Sequence, residues 1–290
     1  MKKKHRIHKK VESDKVFCAI VLTLFCLMII FPFLNVLAIS LSSRLPVSQG
    51  RVWLWPVGFN LESYKRAFAY DGFLRSYWNT IRYTLMDTVL SLAITMLTAY
   101  PLSKSYLRGR KFFNVFFVFT MLFSGGLIAS YINMTKMGLN GTIWAVLFPA
   151  ACSPYTMILM RTFFEQIPTS MEESAFIDGA NDFHVFTKIT IPLSKPIIST
   201  VVLLFAVNRW NSWFNEFIYL TDKKLYPLQL VIRAIVLTGE SEGAIQAGEA
   251  ALGQSLKYAV VILAMIPMLI LYPLIQKYLV KGIMLGAVKG

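Results

Sequence analysis

Long apolar runs alternate along the chain with short polar, mostly basic stretches, and that alternation sets its elements. Val16–Ile39 runs 24 residues without a charge, Phe112–Ile132 runs 21 and Thr142–Met160 runs 19. About 18 apolar residues in a row suffice for a helix to cross the hydrocarbon core of a bilayer. Three further runs carry only one or two charges: Trp78–Tyr100 holds Arg82 and Asp87, Pro196–Asn215 holds Arg209, and Ser255–Leu279 holds Lys257 and Lys277. The pattern predicts six spans, over 16–39, 78–100, 112–132, 142–160, 196–215 and 255–279. Pro267 and Pro273 should kink the sixth, because each proline removes a helical hydrogen bond. A basic tail, 1–15, precedes the transmembrane domain (16–279), and a short tail, 280–290, follows it. The expected fold class is an all-α integral membrane protein.

The segment Arg161–Lys195 has no membrane-length apolar run, yet it is far longer than the ~12–15 residues usual for a structureless loop. Ser170-Met171-Glu172-Glu173 has the pattern of a capping box, with Ser170 opening a helix and Glu173 reaching back to it. That helix should run through Ile177 and end at Asp178-Gly179, glycine being the usual residue past a helix end. Asn181 or Asp182 can cap a second helix through about Ile191, which Pro192 then stops. The prediction is a helix–turn–helix on the inner membrane face, its polar side open to another protein.

Composition agrees with the pattern. Hydrophobic residues make up 56% and charged residues 15%, with a mean hydropathy of +0.56. A soluble domain carries about 25% charged residues, so a soluble enzyme body is excluded, as is a disordered chain. The net charge of +14 would suggest nucleic acid in a soluble protein. Here the basic residues sit between spans, as the positive-inside rule requires, and no nucleic-acid partner is expected. Seven of the first fifteen residues are basic, which orients the N-terminus to the cytoplasm. Counting Lys257 and Lys277 with the loops beside them, Lys and Arg number 17 inside and 10 outside, and both termini lie inside. A cleaved signal has an apolar region of only about 7–15 residues, so Val16–Ile39 reads as a retained span.

The residues with chemistry are few. Cys18, Cys26 and Cys152 have no metal or disulfide spacing and read as small buried hydrophobes. His5 and His8 lie in the basic tail and His184 stands alone, so neither a metal site nor a catalytic constellation is expected. No Gly-x-x-x-x-Gly-Lys-Ser/Thr loop is present to bind ATP. Polar residues within spans are costly and mark candidate pathways. Asn208, Asn211 and Asn215 recur at helical spacing on span five, beside an aromatic face of Trp210, Trp213, Phe214 and Phe217. Amides and flat rings suit sugar hydroxyls and pyranose faces; equally, asparagines glue helices together and tryptophans belt the interface. Arg82 and Asp87, about 140° apart around a helix, should not pair with each other.

Glu173-Ser174-Ala175, three residues, Gly179, nine residues, Ile189, one residue, Ile191-Pro192 resembles the cytoplasmic signature of the permease subunits of ATP-binding-cassette (ABC) importers. That signature reads Glu-Ala-Ala, three, Gly, nine, Ile, one, Leu-Pro; Ser174 and Ile191 are its mild departures here. Glu-Glu-Ser-Ala-Phe-Ile-Asp-Gly-Ala looks like the branch importing sugars and oligosaccharides. Further likenesses are Ala99–Ser103 before the second inner loop, Trp210–Trp213, Tyr226–Gln229, and a tail resembling that of the smaller maltose-type permease subunit. Ala129-Ser130 departs from an expected Pro-Thr.

The resemblance implies a type I ABC importer permease in a bacterial cytoplasmic membrane. It implies a second permease, an ATPase dimer that binds the ATP and Mg, a solute-binding protein outside, and a carbohydrate cargo, with no cofactor in this chain. It places ATPase coupling on Glu172, Glu173, Ser174, Ala175, Asp178, Gly179, Ile189 and Pro192. Glu173 either pairs with a basic residue of the ATPase or only completes its capping box. A second ATPase contact falls on Gly286, Ala287, Lys289 and Gly290, where a frayed end is the other reading. The substrate pathway falls on Asn208, Asn211, Trp213 and Asn215. Two alternatives stand beside this one. An ion-coupled secondary transporter would use Asp87 or Glu216, and a membrane enzyme acting on lipid-linked sugars would need clustered acids or a metal.

Overall fold

A computed structural model of the protein describes residues 2–241 and 247–287. They are helical almost throughout: α1 (Lys2–Ser40), α2 (Arg44–Ser48), α3 (Glu62–Ala69), α4 (Phe73–Ser103), α5 (Arg110–Leu122), α6 (Gly126–Lys136), α7 (Trp144–Ala150), α8 (Pro154–Phe164), α9 (Thr169–Ile177), α10 (Asp182–Val185), α11 (Ile191–Leu193), α12 (Lys195–Trp210), α13 (Phe214–Tyr219), α14 (Leu228–Ser241) and α15 (Ala247–Ala287). A π-turn, Phe186–Thr190, joins α10 to α11, and a 3-10 turn, Lys223–Leu225, precedes α14.

Among the described residues, three helices are long and apolar enough to cross a membrane: Lys15–Ser40 within α1, α4, and Gln254–Pro273 within α15. The number rises to five if α5 with α6, and Asp182–Leu193 with α12, each count as one bent span. The expected span 112–132 is therefore not straight. α5 and α6 meet at 112°, and Gly126 at the break has φ +80, a conformation that glycine adopts without steric cost. The expected span 142–160 is two short helices. Pro154 drives Ser153 into extended backbone, and Ser153 Oγ then accepts the Thr156 N–H to cap α8. The expected span 196–215 ends early, at Trp210, and helix resumes only at Phe214. α15 continues as one element through Pro267 and Pro273.

The chain forms two compact units. One comprises the described residues up to Tyr70 with Ile232–Ala264, the other Asp71–Val231 with the residues from Met265 on. In the first, Ala38 packs with Val47 and Val52, and Asn35 Nδ2 donates to the carbonyl of Trp53 at 2.6 Å. Glu62 accepts hydrogen bonds from Arg44 and Arg66; the Arg44 bond, above all, holds its carboxyl below the usual range. The most apolar stretch of α1, residues 15–34, is exposed throughout. Cys18 and Cys26 on it are accordingly exposed, not buried, and Cys152 is exposed in the α7–α8 break.

In the second unit α4 is the central helix, packed against α12 and α8. Its buried face repeats every three or four residues with small polar side chains: Ser76, Thr80, Thr84, Asp87, Ser91, Thr95, then Ala99. Small residues let helix backbones approach closely where no hydrophobic effect drives them together. Toward the end of α4, Tyr100 and Leu102 join Met157, Met160 and Phe164 of α8 and Val201 and Phe205 of α12 in an apolar cluster. At its start, Asn79 Nδ2 donates to the carbonyls of Lys224 and Tyr226, and Thr80 Oγ1 accepts the Leu228 N–H at 2.7 Å.

Candidate functional site

Two groups of residues anchored on α4 concern function, one at its C-terminal end and one at its middle. The first lies around α9. Pro168 hands the chain over in an extended conformation (ψ 128), so the helix begins at Thr169 and Ser170 already lies inside it. The expected capping box does not form. Ser170 cannot take the extended dihedrals of a cap, and its carbonyl accepts Ser174 Oγ at 2.8 Å. Glu173 is left exposed, without a hydrogen-bond or ion-pair partner among the described residues. The exit is as expected. Gly179 has φ +82, its N–H bonds Phe176 O at 3.1 Å, and the Ala180 N–H bonds Ala175 O at 2.9 Å, the paired bonds of a Schellman turn. Ser174, Asp178 and Gly179 are exposed, and Ile177 is 86% exposed, an open apolar side chain at a polar tip. Among the described residues, its two chain neighbours aside, no atom lies within 4 Å of where a Cβ on Gly179 would stand.

Asn181 Oδ1 accepts the His184 N–H at 2.8 Å and caps α10, as expected. The second helix then loosens into the π-turn, and Pro192 sits inside α11 instead of ending the helix, which stops after Leu193. Proline is tolerated there because the first helical N–H groups have no intrahelical partner to lose. Ile189 is half-buried and Pro192 lies in the returning segment, so neither belongs to the exposed tip.

Glu172, by contrast, is buried. It is 8% exposed and ion-paired with Lys104, itself 6% exposed, whose ammonium also sits 4.4 Å from the centre of the Tyr100 ring. Around this pair the loop after α4 grips both helices of the hairpin. Tyr100 OH donates to Asp182 O at 3.3 Å and Tyr106 OH to Asp182 Oδ1 at 2.7 Å. Desolvation of the Tyr106 hydroxyl and its bond to Asp182 push that phenol well above its ordinary range. Arg110 and Arg161 share the Glu165 carboxylate. Beside them lies a cavity of about 580 Å³ lined by Lys104, Tyr106, Arg110, Glu165, Glu172 and Glu173.

The second group is a buried charge cluster that the sequence reading did not assemble. Arg209 of α12 donates from one terminal nitrogen to Glu216 Oε1 at 2.6 Å. The other donates to Asp87 Oδ1 at 3.4 Å and Val146 O at 3.1 Å. Its Nε lies 3.3 Å from Asp87 Oδ2, out of line for a hydrogen bond. Ser212 Oγ donates to Glu216 Oε2 at 2.9 Å. All three charged residues are at most 6% exposed. Both carboxylates are committed to the guanidinium, so neither is the free acid that an ion-coupled carrier needs. Arg82 does not pair with Asp87, as expected; it sits 5.7 Å from the Tyr83 ring centre.

A cavity of about 300 Å³ opens over this cluster, and Asn208 and Asn215 line it. Asn211 and Trp213 do not. The three-amide stripe requires α12 to continue to residue 215, but Asn211 is the C-cap of α12 and turns its amide back onto Val207 O at 2.9 Å. Trp213 is half-buried, edge-on to the Phe214 ring at 5.5 Å. The sequence signal that was missed is the lone arginine in span five, since a buried cation demands buried anions. At the C-terminus, Gly286 and Ala287 end α15, whereas Lys289 and Gly290 lie outside the described residues.

Comparisons place the chain among known proteins. A family model described as binding-protein-dependent transport system inner membrane component matches residues 76–285. The chain is 38% identical to Protein LplC of Bacillus subtilis (strain 168) over 264 residues, 90% of each chain. It is 38% identical to the polygalacturonan/rhamnogalacturonan transport system permease protein YtcP of the same organism, over 93% of this chain and 96% of that one. A chain from the crystal structure of a bacterial ABC transporter involved in the import of the acidic polysaccharide alginate aligns with a TM-score of 0.84. It is 37% identical and the match covers 92% of this chain and 97% of that one.

Proposed function

The chain belongs to the family of binding-protein-dependent transport system inner membrane components and is an ABC importer permease of the type I fold, and on that premise we propose that its cargo is a carbohydrate, specifically an oligosaccharide. Relatives named for polygalacturonan and alginate transport support a saccharide. In this reading a second permease completes the pathway and a solute-binding protein delivers the sugar from outside. An ATPase dimer, which holds the ATP and Mg and performs the hydrolysis, drives it from the cytoplasm. Both termini lie on the cytoplasmic side of a bacterial cell membrane. The tail Gly286–Gly290 touches the ATPase dimer.

The observation that carries the mechanism is the exposed tip of α9, a short helix with free Glu173, open Ile177 and a glycine turn, fastened at its base to α4. A rigid helix seated in a cleft of the ATPase moves as one body when the ATPases close. The buried Lys104–Glu172 pair passes that motion to α4, and α4 carries Asp87 of the membrane charge cluster at its middle. Rocking of packed helices about a fixed site then exchanges outward for inward access. Substitution tests this directly. In the purified complex, Glu173→Lys removes a charge partner and Gly179→Leu fills the open turn. Both should abolish uptake and the hydrolysis stimulated by binding protein, while the chain still inserts. Normal coupling in both variants would show that this tip does not transmit the force.

A further inference from the structure

The cavity over the charge cluster has a definite chemistry. At about 300 Å³ it lies at the small end of the ~300–1,000 Å³ range of ligand pockets. Its exposed polar groups include the amides of Asn208 and Asn215, neither of which has a hydrogen-bond partner among the described residues. The ring of Tyr155, 60% exposed, lines the same space. Asp87 and Arg209 line its floor, and Glu216 pairs with Arg209 outside the lining; all three are more than nine-tenths buried.

That floor cannot receive an anion. Both terminal nitrogens of Arg209 already donate, to Glu216, to Asp87 and to the Val146 carbonyl, and Nε is ion-paired at 3.3 Å with the second Asp87 oxygen without a hydrogen bond. Two carboxylates against one guanidinium leave one negative charge in excess. In a poorly solvated site that excess repels a carboxylate strongly, because Coulomb energies grow as the dielectric falls. Hydroxyl groups meet no such penalty. Each amide offers a carbonyl acceptor and two N–H donors, matching a hydroxyl that both donates and accepts.

Resting on the carbohydrate reading above, we infer that this cavity is a sugar subsite that reads hydroxyls and rejects carboxylates. Asn208 and Asn215 hydrogen-bond one sugar unit, and the Tyr155 ring supports its apolar face. The buried cluster fixes the sign of the charge. An acidic oligosaccharide passing this subunit turns its carboxylates away from it.

The test uses the complete importer in proteoliposomes with its binding protein. The probes are labelled neutral trisaccharides (raffinose, arabinotriose) and labelled uronate trimers from galacturonan and alginate. Asn208→Leu lies at an exposed position and should fold. It should raise the half-saturating concentration about tenfold for every probe the native complex imports, neutral or acidic alike. Asn215→Lys places a free cation in the cavity and should shift preference about tenfold toward uronates. An unchanged half-saturation in Asn208→Leu overturns the subsite. An effect of Asn208→Leu confined to uronates, or an unchanged preference in Asn215→Lys, overturns the selectivity. Import of none of the four probes by the native complex instead sinks the carbohydrate reading, and this inference with it.

Discussion

Lys104 and Glu172 stand 68 residues apart, and neither is informative in the sequence: one is a basic residue in a basic loop, the other half of a Glu-Glu pair. The structure separates the two glutamates by role. Glu172 is buried against Lys104, and Glu173 points to solvent with no partner among the described residues. Removing one member of a buried pair strands the other charge and costs about 3–5 kcal/mol. Lys104→Met should therefore lower the thermal midpoint of the solubilised chain by several degrees and weaken stimulated ATP hydrolysis in the complex. The charge-exchanged double variant Lys104→Glu/Glu172→Lys should recover most of both. Failure of the exchange to recover coupling, with stability restored, would mean that Glu172 matters to the partner and not to Lys104. The Schellman turn at Gly179 was legible beforehand, because it depends only on a helix end and the next two residues.

At the scale of the element, α4 is the part on which the rest depends. Its buried stripe of Ser, Thr and Asp recurs at helical spacing, and this periodicity was present in the sequence, masked by the apolar residues around it. Asn79 on this helix satisfies two carbonyls of the 3-10 turn region. Asn79→Leu leaves both without their donor, at a cost of about 1–3 kcal/mol. The expected result is a lower unfolding midpoint, followed by tryptophan fluorescence, with Asn79→Gln recovering part of it. An unchanged midpoint in Asn79→Leu would mean that water replaces the amide. α12 shows the opposite case. Its apolar run extends past Trp210, but the helix does not, because Glu216 folds back to Arg209. In a straight helix residues seven apart are separated by about 10.5 Å along the axis, which opposes so short a contact. Whether the run is broken depends on Asp87, 122 residues away from Arg209 in the chain, as much as on local propensity.

For the whole molecule, the distribution of Lys and Arg makes one clear forecast about orientation. Ser48 and Ser170 are both exposed. With Cys18, Cys26 and Cys152 replaced, a cysteine at Ser48 should react in intact cells with a thiol reagent that cannot cross the membrane, and one at Ser170 should not. The reverse pattern would invert the topology. The sequence by itself determined that the chain is helical and membrane-bound, because apolar length and basic flanks act locally and additively. It also determined the α9 turn and the importer family, through a motif spread over some twenty contiguous residues. Only the tertiary structure decided which apolar runs are broken, that Glu173 and not Glu172 is free, and that Asp87, Arg209 and Glu216 meet beneath Asn208 and Asn215. The physical reason is the cost of burying charge. A carboxylate or guanidinium inside a membrane protein must find its counterpart wherever the chain brings one near, and that choice is made between helices distant in sequence.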